Sequence, residues 1–387
     1  MDLVILVAML VLCFCISTVK VEAQSLRLAS AEAENRVLNA KVGLFDWELV
    51  EHFSLSSVTV LEHSQFNVFE ALKEIATQVG KKDWNFSIDP CSNDTNWATP
   101  KSADLPLYNN TVICNCSYPD GFCHVVSIFL KGQDLAGVVP PSAAKLPYLT
   151  RVDFTRNYLT GTIPREWAST KLEYLSITVN NLSGPIPGYL GNISTLIYMS
   201  LENNNFSGTV PPELGKLVNL NNLILSANNL TGELPLALTN LTKLTELRIS
   251  SNNFTGRIPD FIQSWKQLQK LEIQASGLQG PIPSNISALS NLTELRISDI
   301  NGTGSEFPPL SSMTGMGSLD LSFNRLEGDI PDLLATLTNL QYLYLTSNLL
   351  TGSIPDWIKN RDSHYQLDVS YNNFSQSSEP ASCRETL

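Results

Sequence analysis

Charge is scarce in this chain and never gathers into a run of one sign: 16% of the residues are charged and the net charge is −12. That balance excludes nucleic acid and anionic membrane surfaces as partners, and it serves mainly solubility. Histidine is rarer still, with four scattered copies, and no His-Ser-Asp or Cys-His grouping falls at a spacing useful for nucleophilic catalysis. No enzyme, metal or cofactor is therefore expected. Long apolar runs are missing too. Beyond the leading stretch nothing approaches the roughly 20 apolar residues that a membrane helix requires, so no membrane span is expected.

The leading stretch, Leu3 to Ile16, is too short to span and is followed by Val21-Glu22-Ala23, a small-residue cleavage pattern. Residues 1–23 thus read as a secretory signal peptide, and the expected compartment is extracellular. Cysteine usage agrees. Cys13 and Cys15 leave with the signal, and Cys91, Cys114, Cys116, Cys123 and Cys383 remain. The first four cluster where an apolar core would need a lid. They allow three pairings, among which sequence does not choose; Cys91 with Cys114 and Cys116 with Cys123 is the mildly favoured one. A zinc site of Cys114, Cys116, Cys123 and His124 is the sharper alternative, disfavoured in an oxidising compartment. Cys383 is left over, which suggests a missing partner.

What the chain has in abundance is a period. The pattern L-x-L-x-x-N-x-L-x-G-x-I-P recurs, with turn glycines at Gly137, Gly161, Gly184, Gly208, Gly232, Gly256, Gly280, Gly304, Gly328 and Gly352. Every step is 24 residues except one of 23. Asparagines run in parallel at Asn157, Asn180, Asn204, Asn228, Asn252, Asn324, Asn348 and Asn372. One such unit cannot bury its apolar face alone and must stack on neighbours. The expected fold is an α/β leucine-rich-repeat solenoid. A parallel β-sheet should line the concave face, with short helical or 3-10 and extended segments on the convex face. The L-x-L leucines should point inward, the asparagine should satisfy turn backbone from one repeat to the next, and the glycine should adopt a backbone angle closed to other residues. Ser276 and Ile300 break the asparagine column and Phe307-Pro308-Pro309 replaces Ile-Pro, so an irregularity is expected around residues 298–312.

Five segments follow: the signal (1–23), a non-repeating segment (24–65), an N-terminal cap (66–124), about eleven repeats (125–374) and a polar tail (375–387). Phe69, Leu72, Ile75, Ala76 and Val79 have helical spacing. With Trp84, Trp97 and the cysteines, that helix should form a disulfide-bonded cap. A closing cap is expected after the array, yet only Ser375 to Leu387 remain. Fourteen N-x-S/T sequons follow the signal. Those at Asn181, Asn205, Asn229, Asn253 and Asn373 arise from the repeat itself, so the better glycosylation candidates are Asn85, Asn93, Asn109, Asn192, Asn240, Asn285 and Asn301.

The form of the repeat is that of plant extracellular leucine-rich repeats, and particular segments go further: WNFSIDPC (Trp84 to Cys91), YLTRVDFTRNYLTGTIPREWAS (Tyr148 to Ser169), LEIQASGLQGPIPS (Leu271 to Ser284), LTELRISDINGTGSEFPPL (Leu292 to Leu310) and LDLSFNRLEGDIP (Leu319 to Pro331). Residues 66–387 resemble the ectodomain of plant leucine-rich-repeat receptor-like kinases that carry a malectin domain, the subfamily numbered VIII-2. The resemblance implies a plasma-membrane receptor in which the repeats lead to a malectin domain, one membrane helix and a cytoplasmic serine/threonine kinase. This chain departs from that pattern in stopping at Leu387, in missing one repeat between Pro309 and Leu319, and in its 24–65 segment. A shortened product of a longer gene and a genuine short secreted form both fit these departures. No Gly-rich phosphate loop, catalytic lysine, H-R-D or D-F-G signature occurs here, so kinase activity does not carry over.

A binding surface can be read from the register. One outward column of the concave strands runs Arg248, Glu272, Arg296, Asp320, alternating in sign at about 4.8 Å, close enough to pair as a ladder along the sheet. Arg248 and Arg296 would offer forked donors to a carboxylate. An aromatic patch of Phe323, Tyr342, Tyr344 and Tyr371 would stack on a sugar ring or a peptide side chain, or contact a downstream domain. The expected partners are an extracellular peptide or cell-wall carbohydrate, with a co-receptor kinase. The alternative is a stand-alone secreted protein resembling the polygalacturonase-inhibiting proteins of plant cell walls. Those close with their own C-terminal cysteine cap, and the lone Cys383 counts against that reading.

Overall fold

A computed structural model describes residues 68–99, 108–359 and 365–375. The chain divides into two units, Met1–Ser64 and Gln65–Leu387. The signal peptide, the 24–65 segment and Cys383 with the rest of the tail after residue 375 lie outside the described residues.

The apolar pair in each repeat builds the expected sheet. Twelve strands hydrogen-bond side by side, from Asn109–Asn115 through His124–Lys131 to Gln366–Asp368. The first pair is antiparallel and every later pair is parallel. Register follows the period, so Arg248 lies opposite Glu272, Glu272 opposite Arg296, and Arg296 opposite Asp320. Leu247, Leu271, Leu295 and Leu319 stack behind them in a continuous core. On the convex side most repeats make a 3-10 turn just after a proline, as at Pro212–Lys216 and Asp332–Thr336, and a short α-helical turn stands at Asp356–Lys359. Proline presets the entering φ and offers no N–H to leave unpaired. Extended segments before these turns form two further sheets, of five and three strands.

The asparagine column works as expected. Asn228 Nδ2 donates to Leu201 O (3.0 Å) and Leu225 O (3.1 Å), while its Oδ1 accepts the Phe206 N–H (3.0 Å). One side chain therefore ties two successive repeats, where backbone groups would otherwise be buried unpaired.

The glycine column needs a correction. Gly161, Gly184, Gly208, Gly232, Gly256, Gly328 and Gly352 have positive φ as expected, but Gly137, Gly280 and Gly304 do not. At Gly137 the reason is space, because a Cβ there would run into the carbonyl of Gln78 at the end of the cap helix. A second left-handed column had no sequence signal. The residue before each asparagine position, including Val179, Ala275, Asp299, Phe323 and Tyr371, has φ between 46° and 59°. The local cost of that conformation is met because strand and asparagine hydrogen bonds determine the turn on both sides.

The irregularity falls on the turn and convex sides. Asn324 Oδ1 accepts the N–H of Ile300 (3.2 Å), whereas the regular repeat after it has Asn348 Oδ1 accepting from Leu326, 22 residues earlier rather than 24. The convex sheets separate here, bridged only at Arg257–Gln279 and Gln279–Asn301. The stretch between Ser305–Glu306 and Ser318–Asp320 has turns but no 3-10 helix. The concave sheet runs on unbroken, with five-residue strands at Lys270–Gln274 and Glu294–Ser298.

The cap consists of a helix over 68–79, whose Leu72, Ile75 and Val79 are buried, and a pair of tryptophans. Trp84 and Trp97 pack with ring centroids 4.9 Å apart, and Trp84 Nε1 donates to Asn110 Oδ1 (3.1 Å). Disulfides join Cys91 to Cys114 and Cys116 to Cys123. The zinc alternative is thereby excluded, since all three of its cysteines are bonded to sulfur.

Candidate functional site

Each concave strand presents outward residues on both sides of its inward leucine, and the chain then turns through the left-handed position. Arg248, Glu272, Arg296 and Asp320 do share one column, but the expected ladder along it does not form. Arg248 Nε and Nη2 both lie 2.6 Å from Glu246 Oε1, two residues earlier on the same strand, and Glu272 is only a distant neighbour at 3.9 Å. Arg296 Nε likewise bonds Glu294 Oε1 (2.9 Å), and Lys270 Nζ stands 3.6 Å from Glu294. Residues i and i+2 share the outward face of a strand, so a long guanidinium finds this closer carboxylate first. Asp320 pairs with no cation among the described residues. It accepts Gln274 Nε2 (3.0 Å) and the Ser322 N–H (3.0 Å).

Burial and charge act together around Arg248. Burial raises the pKa of Glu202 above the ordinary carboxylate value; Arg248 opposes the rise, and Glu272 and Glu246 add to it. For Arg248 burial works against the charge, but Glu246, Glu272 and Glu202 outweigh it and hold the pKa above its usual value. Arg248 is thus already enclosed by carboxylates, whereas the terminal nitrogens of Arg296 have no protein partner among the described residues.

The aromatic residues divide into two places. Tyr342 and Tyr344 stand on one strand, and Tyr344 Oη donates to Gln366 Oε1 (2.9 Å). Phe323 and Tyr371 occupy left-handed turn positions and are 55% and 83% exposed. Phe323 and Tyr344 line a concavity of about 450 Å³ with Gln274, Asp299, Asp320 and Thr346. A neighbouring concavity of about 580 Å³ is also bordered by Phe323 and Asp299.

A second aromatic group escaped sequence reasoning. Near the N-terminal end, Arg151 lies over the rings of Phe129 (5.9 Å) and Tyr174 (5.1 Å), and Tyr174 stacks on Tyr198 at 4.4 Å. Burial raises the Tyr174 pKa, reinforced by Asp153 and Tyr198. The signal was available: these tyrosines share the outward column just before the inward leucine. Asp299 shares the left-handed column with Phe323 and Tyr371, but sequence reasoning picked out only the aromatic members of that column.

Of the glycosylation candidates, Asn85, Asn93, Asn192, Asn240 and Asn301 are exposed and Asn109 is half-buried. Asn285 is different, since its Nδ2 donates to Asp260 O (2.7 Å) and its Oδ1 is buried without a partner. Sequons written by the repeat are tied to one another: Asn205 Nδ2 donates to Asn181 Oδ1 (2.6 Å), and Asn253 Nδ2 to Asn229 Oδ1 (2.5 Å).

Among the described residues no group of three or more His, Cys, Asp or Glu side chains could hold a metal ion, and no helix is long and apolar enough to cross a membrane. A stacked parallel sheet with a broad, chemically varied inner face defines a repeat solenoid whose working surface is open. The chain belongs to the leucine-rich-repeat family: the profile of the leucine-rich repeat region matches residues 171–371. Two probable LRR receptor-like serine/threonine-protein kinases of Arabidopsis thaliana are 44% identical to it over 128 residues and 46% identical over 130. Each match covers 33% of this chain and 12% of the relative, so the chain matches a small part of those proteins. Among solved structures, the LRR ectodomain of the Arabidopsis receptor kinase HAESA, in complex with an N-terminally extended IDA peptide hormone, is 26% identical with a TM-score of 0.67. That likeness covers 81% of this chain and 50% of the other.

Proposed function

We propose that this chain is the extracellular ligand-recognition region of a plant cell-surface receptor-like kinase, of the kind that continues into a malectin domain, a membrane helix and a cytoplasmic kinase. In this reading residues 66–124 cap the array and residues 125–374 carry the binding surface. The ligand is a peptide lying along the concave face between Arg248 and Tyr371, and a co-receptor kinase is the second partner. The observation that supports this most is the open chemistry of that strip. Arg296 keeps its terminal nitrogens unpaired, Asp320 lacks a cation, and Phe323 and Tyr371 expose their rings. An isolated folded protein gains little by exposing large rings in this way. The peptide hormone on the HAESA ectodomain points the same way. The receptor reading places the mature surface outside the cell, at the plasma membrane when the full receptor is made.

The test is direct binding to the immobilised secreted chain, offered a displayed random heptapeptide library and a panel of cell-wall oligosaccharides. Saturable peptide capture is expected, weakened in the double variants Arg248→Ala/Arg296→Ala and Phe323→Ala/Tyr344→Ala. Capture of the oligosaccharides alone would replace the peptide with a glycan. Saturable binding to neither overturns the reading.

A further inference from the structure

Charges on the C-terminal half of the concave face are unevenly satisfied. The cations are taken up internally: Arg248 by Glu246, Arg296 through its Nε by Glu294, and Lys270 by Glu294. Several carboxylates are not, Asp320 and Asp299 among them. Asp320 accepts only from Gln274 Nε2 and the Ser322 N–H, and Asp299 Oδ2 accepts only the Ser298 hydroxyl (2.8 Å). Neutral donors orient a carboxylate and leave its charge uncompensated, with lone pairs free for a further donor. Both carboxylates line the 450 Å³ concavity, together with Phe323 and Tyr344.

We propose that this concavity receives a basic side chain, arginine or lysine, of a bound peptide. The inference rests on the receptor reading and adds the chemistry of one ligand residue. The geometry provides what such a side chain needs. Its charged end meets Asp320 and Asp299 through charge-assisted hydrogen bonds. Its aliphatic stem and the positive charge lie against Phe323 and Tyr344, which favour both. Phe323 is more than half exposed at a φ of 54°, in a column where the neighbouring repeats place aspartate and serine. A bulky ring in that backbone conformation brings no packing benefit to the fold and supplies a platform at the mouth of the concavity. An acidic ligand group would meet uncompensated carboxylates here. A bare metal ion lacks a third ligand, since no such trio converges among the described residues.

The test uses the secreted chain and an equimolar set of capped heptapeptides that vary only at the central residue: arginine, lysine, citrulline, glutamine or glutamate. Arginine and lysine peptides should be retained roughly tenfold over citrulline and glutamate, the scale of one charge-assisted contact with an aromatic platform. That preference should disappear in Asp299→Asn/Asp320→Asn, a near-isosteric pair that keeps acceptors for Ser298, Ser322 and Gln274. It should weaken in Phe323→Ala and survive in Glu294→Gln, with unchanged melting profiles confirming that each variant is folded. Peptide binding without a basic preference, or a preference that survives the double asparagine variant, overturns the proposal and leaves the receptor reading standing. If no peptide binds here or in the random library, this proposal falls, and the receptor reading falls with it only if no oligosaccharide binds either.

Discussion

Arg248 is held by Glu246, two residues earlier on its own strand, at 2.6 Å. The period had pointed instead to Glu272, the residue directly opposite on the next strand, which stands at 3.9 Å. This changes the electrostatic character of the middle of the concave face. Arg248 becomes the centre of a carboxylate cluster, and the free chemistry shifts toward Arg296, Asp299 and Asp320.

Removing Glu246 tests that shift. In Glu246→Gln the closest partner of Arg248 loses its charge, and the pair is partly solvent-exposed, so the stability cost should be about 0.5–1 kcal/mol. Denaturant unfolding of the two proteins measures it. A loss above about 3 kcal/mol would mean the pair behaves as a buried one.

Glu202 predicts a pH dependence of definite sign. Its folded pKa is raised, chiefly by burial, so the folded state binds its proton more tightly than the unfolded chain does. The resulting stability is present at pH below the ordinary value of 4.5 and is lost as pH rises through the folded pKa. Glu202→Gln should therefore melt higher than the parent at pH 7, and the difference should close on acidification below 4.5. A variant no more stable than the parent at pH 7 would contradict this.

Asn228 donates to Leu201 O of the preceding repeat and to Leu225 O and Ser226 O of its own, and it accepts the Phe206 N–H of the preceding repeat. Asn228→Ala leaves those backbone groups unpaired and should cost about 2–4 kcal/mol. Thermal melts of this variant beside Ser276→Ala, whose hydroxyl accepts only the Leu278 N–H at 3.3 Å, should separate clearly. Equal losses would show that the asparagine column is not the main tie between repeats.

The two disulfides should differ in value. The Cys91–Cys114 bridge closes a separation of 23 residues and Cys116–Cys123 one of 7. Chain-entropy arguments then assign about 3 kcal/mol to the first and about 2 kcal/mol to the second. Paired serine variants, compared by denaturant midpoint, should rank in that order.

Glycan occupancy should follow access to the amide. Asn192 and Asn240 are exposed, whereas Asn285 donates its amide to Asp260 O and buries its Oδ1. Glycopeptide mass spectrometry of the secreted chain should find the first two occupied and Asn285 bare. A fully occupied Asn285 would refute the link between the seated amide and occupancy.

The one-dimensional stacking of repeats explains how much could be read in advance. Residues 24 apart become neighbours, so the column from Arg248 to Asp320 followed directly from counting. The same logic located the irregular repeat at Ile300, since isoleucine cannot do what a turn asparagine does. Counting failed where neighbours compete. Glu246 and Glu272 are both within reach of Arg248, and side-chain geometry selects one of them. It failed again for Gly137, where the approach of the cap helix decides the residue.

Sequence by itself determined the period, the inward leucines, the tying asparagines and the disulfide-bonded cap, because each is a local pattern repeated or clustered along the chain. Tertiary structure alone decided which charges cancel and which stay open. Asp299 and Phe323 border one concavity with Asp320 and Tyr344 only because the left-handed turns of successive repeats stack beside the strands. That juxtaposition depends on side chains from three successive repeats meeting on one face, a relation that only the stacked fold creates.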